Sequence, residues 1–393
     1  RNKDGSLGAV FKIGLLEHEP MTAAQIVEAV DGLKSWFSLP ENCTLQVLFE
    51  QRLVSPLDTS LTEIETSYAK GNEVSRMLFA AKLDAIKQAC GDAKNERAPF
   101  ERRAYLAVRY FPDFAKTRLA RDLLARGEAT LFREMKGYIE ERNRFVEVLR
   151  SLEIGSKVEL KRLGAAELLD VLRAFFNPKS YYQRKFAPYS SHVPLSEQLL
   201  YSSPTLDYPG IEREGVKTRT ITLKTTPAFA YPGGMAYFTK LDFPFRLSLN
   251  FSFPSKMKAK SFFDLKEFFL QNSISARSRR QREEVLEVQD RLARDDRCLG
   301  LTFSVVVEGE DDETLARRVN EVVNVFHADL EAEVIAEDDI GLGLCLNSLP
   351  LNYTPRSDYS ARRSIRVLRS DVTKFIPIFD SFRGCKNALS LHL

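Results

Sequence analysis

A phosphate-binding loop requires G-x-x-x-x-G-K-[ST], in which backbone N–H groups cradle the phosphates and the lysine reaches the terminal ones. The sequence contains no Gly-Lys dipeptide. Gly341-Leu342-Gly343 lacks the third glycine of a dinucleotide-binding turn and does not open a βαβ unit. The four histidines, His18, His192, His327 and His392, are each isolated from one another and from cysteine. They read as ordinary surface histidines, and no local metal site is built from them. No G-x-S-x-G elbow marks a serine nucleophile. Cys43, Cys90, Cys298, Cys345 and Cys385 are odd in number with no CxxC spacing. They are expected to be buried thiols in a reducing compartment. No catalytic, cofactor-binding or metal-ligating residue is therefore assigned.

Charge offers the remaining chemistry. The whole chain carries a net charge of only +3, so it is no polycation. Two stretches stand out locally. Residues 277–297 hold seven arginines, but six acids accompany them. Glu287/Arg291 and Asp290/Arg294 have the favourable four-residue spacing of helix ion pairs. Only the N-terminal end, Arg277, Arg279, Arg280 and Arg282, is unbalanced, and it forms a secondary candidate contact. The second stretch holds Arg356, Arg362, Arg363, Arg366, Arg369 and Lys374 against Asp358 and Asp371. Its balance of +4 exceeds that of the whole chain, and such a one-signed run suits an acidic protein face, phosphates or anionic lipid. The alternative is an exposed linker.

The elements that must position these residues follow from periodicity. The chain is 393 residues long, 44% hydrophobic and 28% charged, with 27 Phe. That is ordinary globular composition for two or three domains. Leu7 to Leu16 reads as a strand. Thr22-x-x-Gln25 has capping-box spacing and starts a helix carrying Ile26, Val30, Leu33 and Phe37. Leu45, Val47 and Phe49 alternate in a second strand. A helical insertion is expected over 64–92, with Val74, Leu78, Ala81 and Ile86 on its inner stripe. Tyr105 to Tyr110 is a third strand, and 115–152 is helical, with Leu131, Met135, Tyr138, Phe145, Leu149 and Leu152 facing inward. Val158 and Leu160 mark a fourth strand.

The same order returns after a Pro- and Tyr-rich connector. Strand 216–225 precedes a short helix at 233–241. Phe245, Leu247, Leu249, Phe251 and Phe253 alternate, helices fill 258–297, and Leu301, Phe303, Val305 and Val307 alternate again. A helix over 312–328 and a strand at 330–337 complete the set. The fold expected is α+β, with two tandem ferredoxin-like (βαββαβ) modules, each with a helical insertion between its second and third strands. The divisions are 1–176 for the first module, 177–215 for the connector, 216–338 for the second module and 339–393 for an exit segment.

The exit segment carries a family resemblance. Asn347-Ser348-Leu349-Pro350-Leu351-Asn352-Tyr353, followed by Arg362-Arg363, resembles the turn and basic stretch that precede the ATPase domain of type IV secretion and conjugation ATPases, the VirB-four, TraC and TrbE relatives. Asp4-Gly5-Ser6-Leu7, Leu195-Ser196-Glu197-Gln198-Leu199-Leu200, Leu223-Lys224 with Pro227, and Phe243-Pro244-Phe245 fit the same pattern. The resemblance spans nearly the whole chain.

It implies the N-terminal docking and assembly region of a secretion motor that moves protein or conjugative DNA. The ATPase domain, with its ATP and Mg, would lie beyond this region. The implied setting is the bacterial cytoplasm, peripheral on the cytoplasmic face of the inner membrane. The implied partners are inner-membrane channel components, the ATPase domain and further copies of the chain. Leu349, Pro350, Arg356, Arg362, Arg363, Arg366 and Arg369 become the candidate interdomain or partner contact.

Two other readings stay open. Arg103 to Tyr110 faintly echoes the third strand of RNA-recognition modules, so a nucleic-acid-binding sheet would expose aromatics. A stand-alone enzyme would gather His192 or His327 with carboxylates in a deep pocket. No apolar run reaches the roughly 20 residues of a membrane span, and no amphipathic anchor is expected.

Overall fold

The computed structural model describes residues 4–55, 72–90, 99–117, 123, 135–207, 209–227, 231–271, 275–294, 296–356 and 361–380. Strands are numbered in chain order. The first five are β1 Leu7–Ile13, β2 Leu16–Glu17, β3 Cys43–Leu53, β4 Phe100–Tyr110 and β5 Leu160–Arg162. Next come β6 Thr205–Asp207, β7 Gly210–Arg213, β8 Val216–Leu223, β9 Phe245–Ser252 and β10 Cys298–Gly309. The last three are β11 Val334–Glu337, β12 Ile365–Leu368 and β13 Phe379–Asp380. The helices that matter are α1 Ala23–Gly32, α2 Glu73–Ala89, α3 Lys136–Gly155 and α4 Ala165–Phe176. They are followed by α5 Lys256–Gln271, α6 Ala276–Ala293, α7 Asp312–Asn324 and α8 Gly341–Asn347.

One antiparallel sheet runs through the molecule in the order β5-β1-β4-β3-β9-β10-β8-β7-β6, with β11 beside β8 and β12 beside β10. The first half reads fourth-first-third-second (β5, β1, β4, β3). The second half repeats that order in β11, β8, β10 and β9. The halves meet through their second strands, with Val47 opposite Leu249 and Glu50 opposite Arg246. β3 is therefore a central strand, buried along its whole length on both faces. Helices interrupt both halves between their second and third strands: α2 in the first, α5 and α6 in the second.

Alternation decides which side chains fill the main core. Phe11, Leu45, Val47, Phe49, Leu106, Leu247, Leu249, Phe251, Phe303 and Val305 all point to one face. There they meet Trp36, Phe37, Tyr138, Phe145, Phe238, Val322 and Phe326 from the covering helices and turns. At about 1.5–3 kcal/mol for each large apolar side chain buried, this single core dominates folding. The capping box at Thr22 forms as its spacing predicts, with Gln25 Oε1 accepting from Thr22 N at 2.8 Å.

Some expectations need correction. In α2 the buried stripe runs through Phe79, Leu83, Ile86 and Cys90, whereas Val74 and Leu78 are 67% and 71% exposed. The apolar residues of this helix cover more than one face, so of the expected stripe Ile86 packs inward while Val74, Leu78 and Ala81 do not. Leu131 and much of the expected 115–152 helix lie outside the described residues; the described helix there is α3. The stretch 177–215 contributes the β6–β7 hairpin to the sheet edge. Ile365–Leu368 return to the sheet as β12, Phe379–Asp380 pair with β2 in a separate two-stranded sheet, and Val372, Ile376 and Ile378 are buried in the main core.

Candidate functional site

The second face of the sheet is covered by α4, α8 and the turn that follows α8. Leu349 packs with Phe175, Ile211, Val306 and Cys345, and Pro350 is buried. This turn has no regular pairing of its own, so its backbone needs side-chain partners. Gln46, on β3, supplies three of them. Its Nε2 donates to the carbonyls of Asn347 at 3.0 Å and Leu349 at 3.3 Å. Its Oε1 accepts from Leu351 N at 2.7 Å.

Arg109, on β4, holds the next residues. Its Nη1 donates to the carbonyls of Leu351 and Tyr353, both at 3.1 Å. Its Nε donates to Ser6 Oγ at 2.8 Å and its Nη2 to Asp4 Oδ2 at 2.6 Å. One buried guanidinium thus ties the opening turn of the chain to the turn after α8. Burial opposes ionisation of Asp4, but the hydrogen bonds from Ser6 and the charge of Arg109 outweigh it and hold its carboxyl below the ordinary range. Leu351 sits at φ +64°, a left-handed conformation that costs a non-glycine residue about 1–3 kcal/mol. Its side chain lies against Gly8, where any Cβ would come within 2.7 Å of Leu351 Cδ1. Glycine at 8 is the residue that leaves room for this contact.

The basic residues divide into committed and outward-facing ones. Arg363 pairs with Glu337 through Nε at 2.5 Å and Nη2 at 3.1 Å. The carboxylate of Glu337 is buried and also accepts from Thr222 Oγ1. Arg369 approaches Asp296 at 3.8 Å, and Lys374 approaches Asp371 at 3.8 Å. Arg356, Arg362 and Arg366 are exposed. Arg362 occupies φ +52°, and the Arg366 guanidinium lies 5.7 Å from the centre of the Phe262 ring. The six basic residues therefore do not form one free patch. On α6, Arg279 and Arg280 are exposed, Arg282 reaches Glu267 at 3.5 Å, and the side chain of Arg277 lies outside the described residues.

A second polar cluster lies at the seam between the halves. Glu50 on β3 pairs with Arg246 on β9 at 2.8 Å, and both are buried. Tyr105 donates to the same carboxylate at 3.2 Å. Burial works against the charge of Glu50, yet Arg246, Arg52 and Arg103 together hold its pKa below the ordinary value. Gln46, Glu50, Arg109 and Arg246 escaped sequence reasoning. The available signal was strongly polar side chains at alternate positions of strands rich in Leu, Val and Phe.

Other chemistry finds little footing among the described residues. The aromatics of the sheet, including Tyr105, Tyr110, Phe245 and Phe251, are buried, so the sheet offers no stacking platform of the kind single-stranded RNA needs. His192 and His327 are exposed, while His18 Nδ1 lies 2.8 Å from the carbonyl oxygen of Asp380. His392 and Cys385 lie outside the described residues. Cys43, Cys90, Cys298 and Cys345 are all buried free thiols. Burial pushes the Cys43 thiol up to about 12 and that of Cys298 to about 11, with no activation as nucleophiles. No described group of His, Cys, Asp and Glu is placed to hold a metal ion. No described helix is long and apolar enough to cross a membrane. No curated protein matches the chain. Residues 1–353 match the family model described as TraC protein, a span that runs from the opening turn to the turn gripped by Arg109, and the chain belongs to that family of type IV secretion and conjugative transfer.

Proposed function

We propose that this chain is the docking and assembly region of a conjugative or type IV secretion ATPase. It works through protein contacts, and the ATPase domain that the resemblance places after it does the chemistry. The observation that carries this reading is the double grip of Gln46 and Arg109 on residues 347–353. Residues 347–353, which run on into the basic stretch and the core-closing residues 365–380, are here fastened to the centre of the sheet, so force or motion at the end of this region reaches the whole platform. Each half of the sheet is ferredoxin-like in this reading, as the repeated fourth-first-third-second strand order supports. The partners proposed are inner-membrane channel components, the ATPase domain and further copies of the protein. The setting proposed is the cytoplasmic face of the bacterial inner membrane.

ATP and Mg belong to the ATPase domain in this account. Titration of the purified chain with Mg-ATP should give no binding heat, and micromolar affinity would contradict the division of labour. The docking role is tested by site-specific photo-crosslinking in cells that carry the transfer system. Probes at exposed positions of this chain should capture inner-membrane channel proteins. A folded, abundant chain that captures none of them would overturn the proposal.

A further inference from the structure

Helix α5 presents two apolar faces. One, formed by Ala259, Phe263 and Leu270, packs on Val285, Val288 and Leu292 of α6 and on Cys298. The other faces outward. Met257 is 75% exposed, Phe262 44%, Leu265 56%, Phe268 58% and Phe269 66%. At about 100° per residue these five side chains fall within one arc of roughly 140°. Isolated surface hydrophobes need no explanation, but a contiguous patch with three phenylalanines on one helix marks an interaction surface.

Charge around the patch selects the occupant. Lys256, Lys258, Lys260 and Lys266 are exposed on the same helix. Its two carboxylates are already engaged: Asp264 accepts from Gln289 Nε2 at 3.0 Å, and Glu267 pairs with Arg282 at 3.5 Å. Lys258, Lys260 and Lys266 form no ion pair among the described residues. Exposed Arg279 and Arg280 lie at the start of neighbouring α6, whose later turns carry exposed Glu283, Glu284, Glu287 and Asp290, and exposed Arg366 sits over the Phe262 ring, so the positive charge is concentrated on α5 itself and at these three arginines. Phenylalanine and leucine on one face with lysine beside them is the pattern of a helix lying in a membrane interface. The rings enter the acyl boundary and the long lysine stems carry their ammonium groups back to the headgroups.

We infer that α5 is a lipid-binding element that lays Met257, Phe262, Leu265, Phe268 and Phe269 onto an anionic membrane surface. The expectation of no amphipathic anchor is revised accordingly. The inference extends the proposed placement at the membrane, and a vesicle assay with no protein partner separates it from that reading.

The experiment is flotation of the purified chain with vesicles of phosphatidylethanolamine and phosphatidylglycerol, and in parallel with phosphatidylcholine alone. The chain should float with the anionic vesicles and stay at the bottom with the neutral ones. Raising salt to about 0.5 M should weaken the binding several-fold. Leu265→Ser with Phe269→Ser should reduce binding about tenfold or more, and Lys258→Glu with Lys266→Glu should do the same. All four positions are exposed, so circular dichroism of both variants should match the parent. Failure to float with anionic vesicles would overturn the inference and would leave a protein as the patch's occupant. Equal binding to neutral vesicles, or unchanged binding in both folded variants, would overturn it as well.

Discussion

Arg109 places four hydrogen bonds on two stretches that lie far apart in the chain, and no other side chain type does this as well. Its planar fork reaches Asp4, Ser6, Leu351 and Tyr353 at once, a geometry that lysine's single point of charge cannot reproduce. Arg109→Ala should therefore cost about 2–3 kcal/mol, since it leaves buried carbonyls without donors, and Arg109→Lys should recover only part of it. Denaturant unfolding of the three proteins checks both statements, and a loss below about 0.5 kcal/mol in the alanine variant would refute the grip. Glu50 gives a pH prediction with a definite sign. Its folded-state pKa is lowered, so its contribution is complete above the unfolded value, about 4.3. That contribution is lost as pH falls through the lower folded value. Glu50→Gln should thus lower stability at neutral pH and flatten the acid limb of the curve of unfolding midpoint against pH. A parallel curve displaced downward would mean that Glu50 has the same pKa folded and unfolded, contrary to the lowered folded value.

At the scale of elements, the basic stretch after residue 355 behaves as two populations. Removing Arg363 strands the buried carboxylate of Glu337, so Arg363→Ala should cost about 2–4 kcal/mol. Arg362→Ala touches an exposed side chain and should stay within about 0.5 kcal/mol. Thermal unfolding of the pair distinguishes them, and equal effects would show that the Arg363–Glu337 bridge does not hold. A charge reversal meant to probe partner contact belongs at Arg362 or Arg366, because reversing Arg363 disturbs the fold itself. The strands were the legible part of the sequence. Phe245 to Phe253 and Leu301 to Val307 alternate cleanly because one face packs on helices, and the pairing of β9 with β10 follows that reading. The grip on residues 347–353 was not legible, since hydrogen bonds from Gln46 and Arg109 to main-chain groups some 300 and 240 residues away leave no periodic trace. The role of β3 was half legible. Leu45, Val47 and Phe49 announce a core face, but Gln46 and Glu50 resemble a solvated face until the turn, α4 and α8 are seen covering them. Val74 and Leu78 failed for the opposite reason: apolar side chains on α2 surround the helix, and tertiary contact alone selects the buried stripe.

On the scale of the molecule, β3 and β9 join two similar halves into one sheet with a shared main core, and residues 365–380 close that core instead of trailing from it. Such a body transmits displacement as a unit, because close-packed interiors shift little under load. In the proposed role this matters more than any single pocket. A platform that docks a motor needs a stiff sheet, a firmly held segment toward the motor and outward surfaces for partners. The account predicts that the isolated chain competes for the docking position when it is produced in donor cells beside an intact transfer system. The decisive measurement is conjugative transfer frequency in such cells, with chain abundance and folding verified. A fall of about tenfold or more, lost when Arg109→Ala loosens the grip on residues 347–353, is the predicted result. Unchanged transfer at high levels of folded chain would contradict the account.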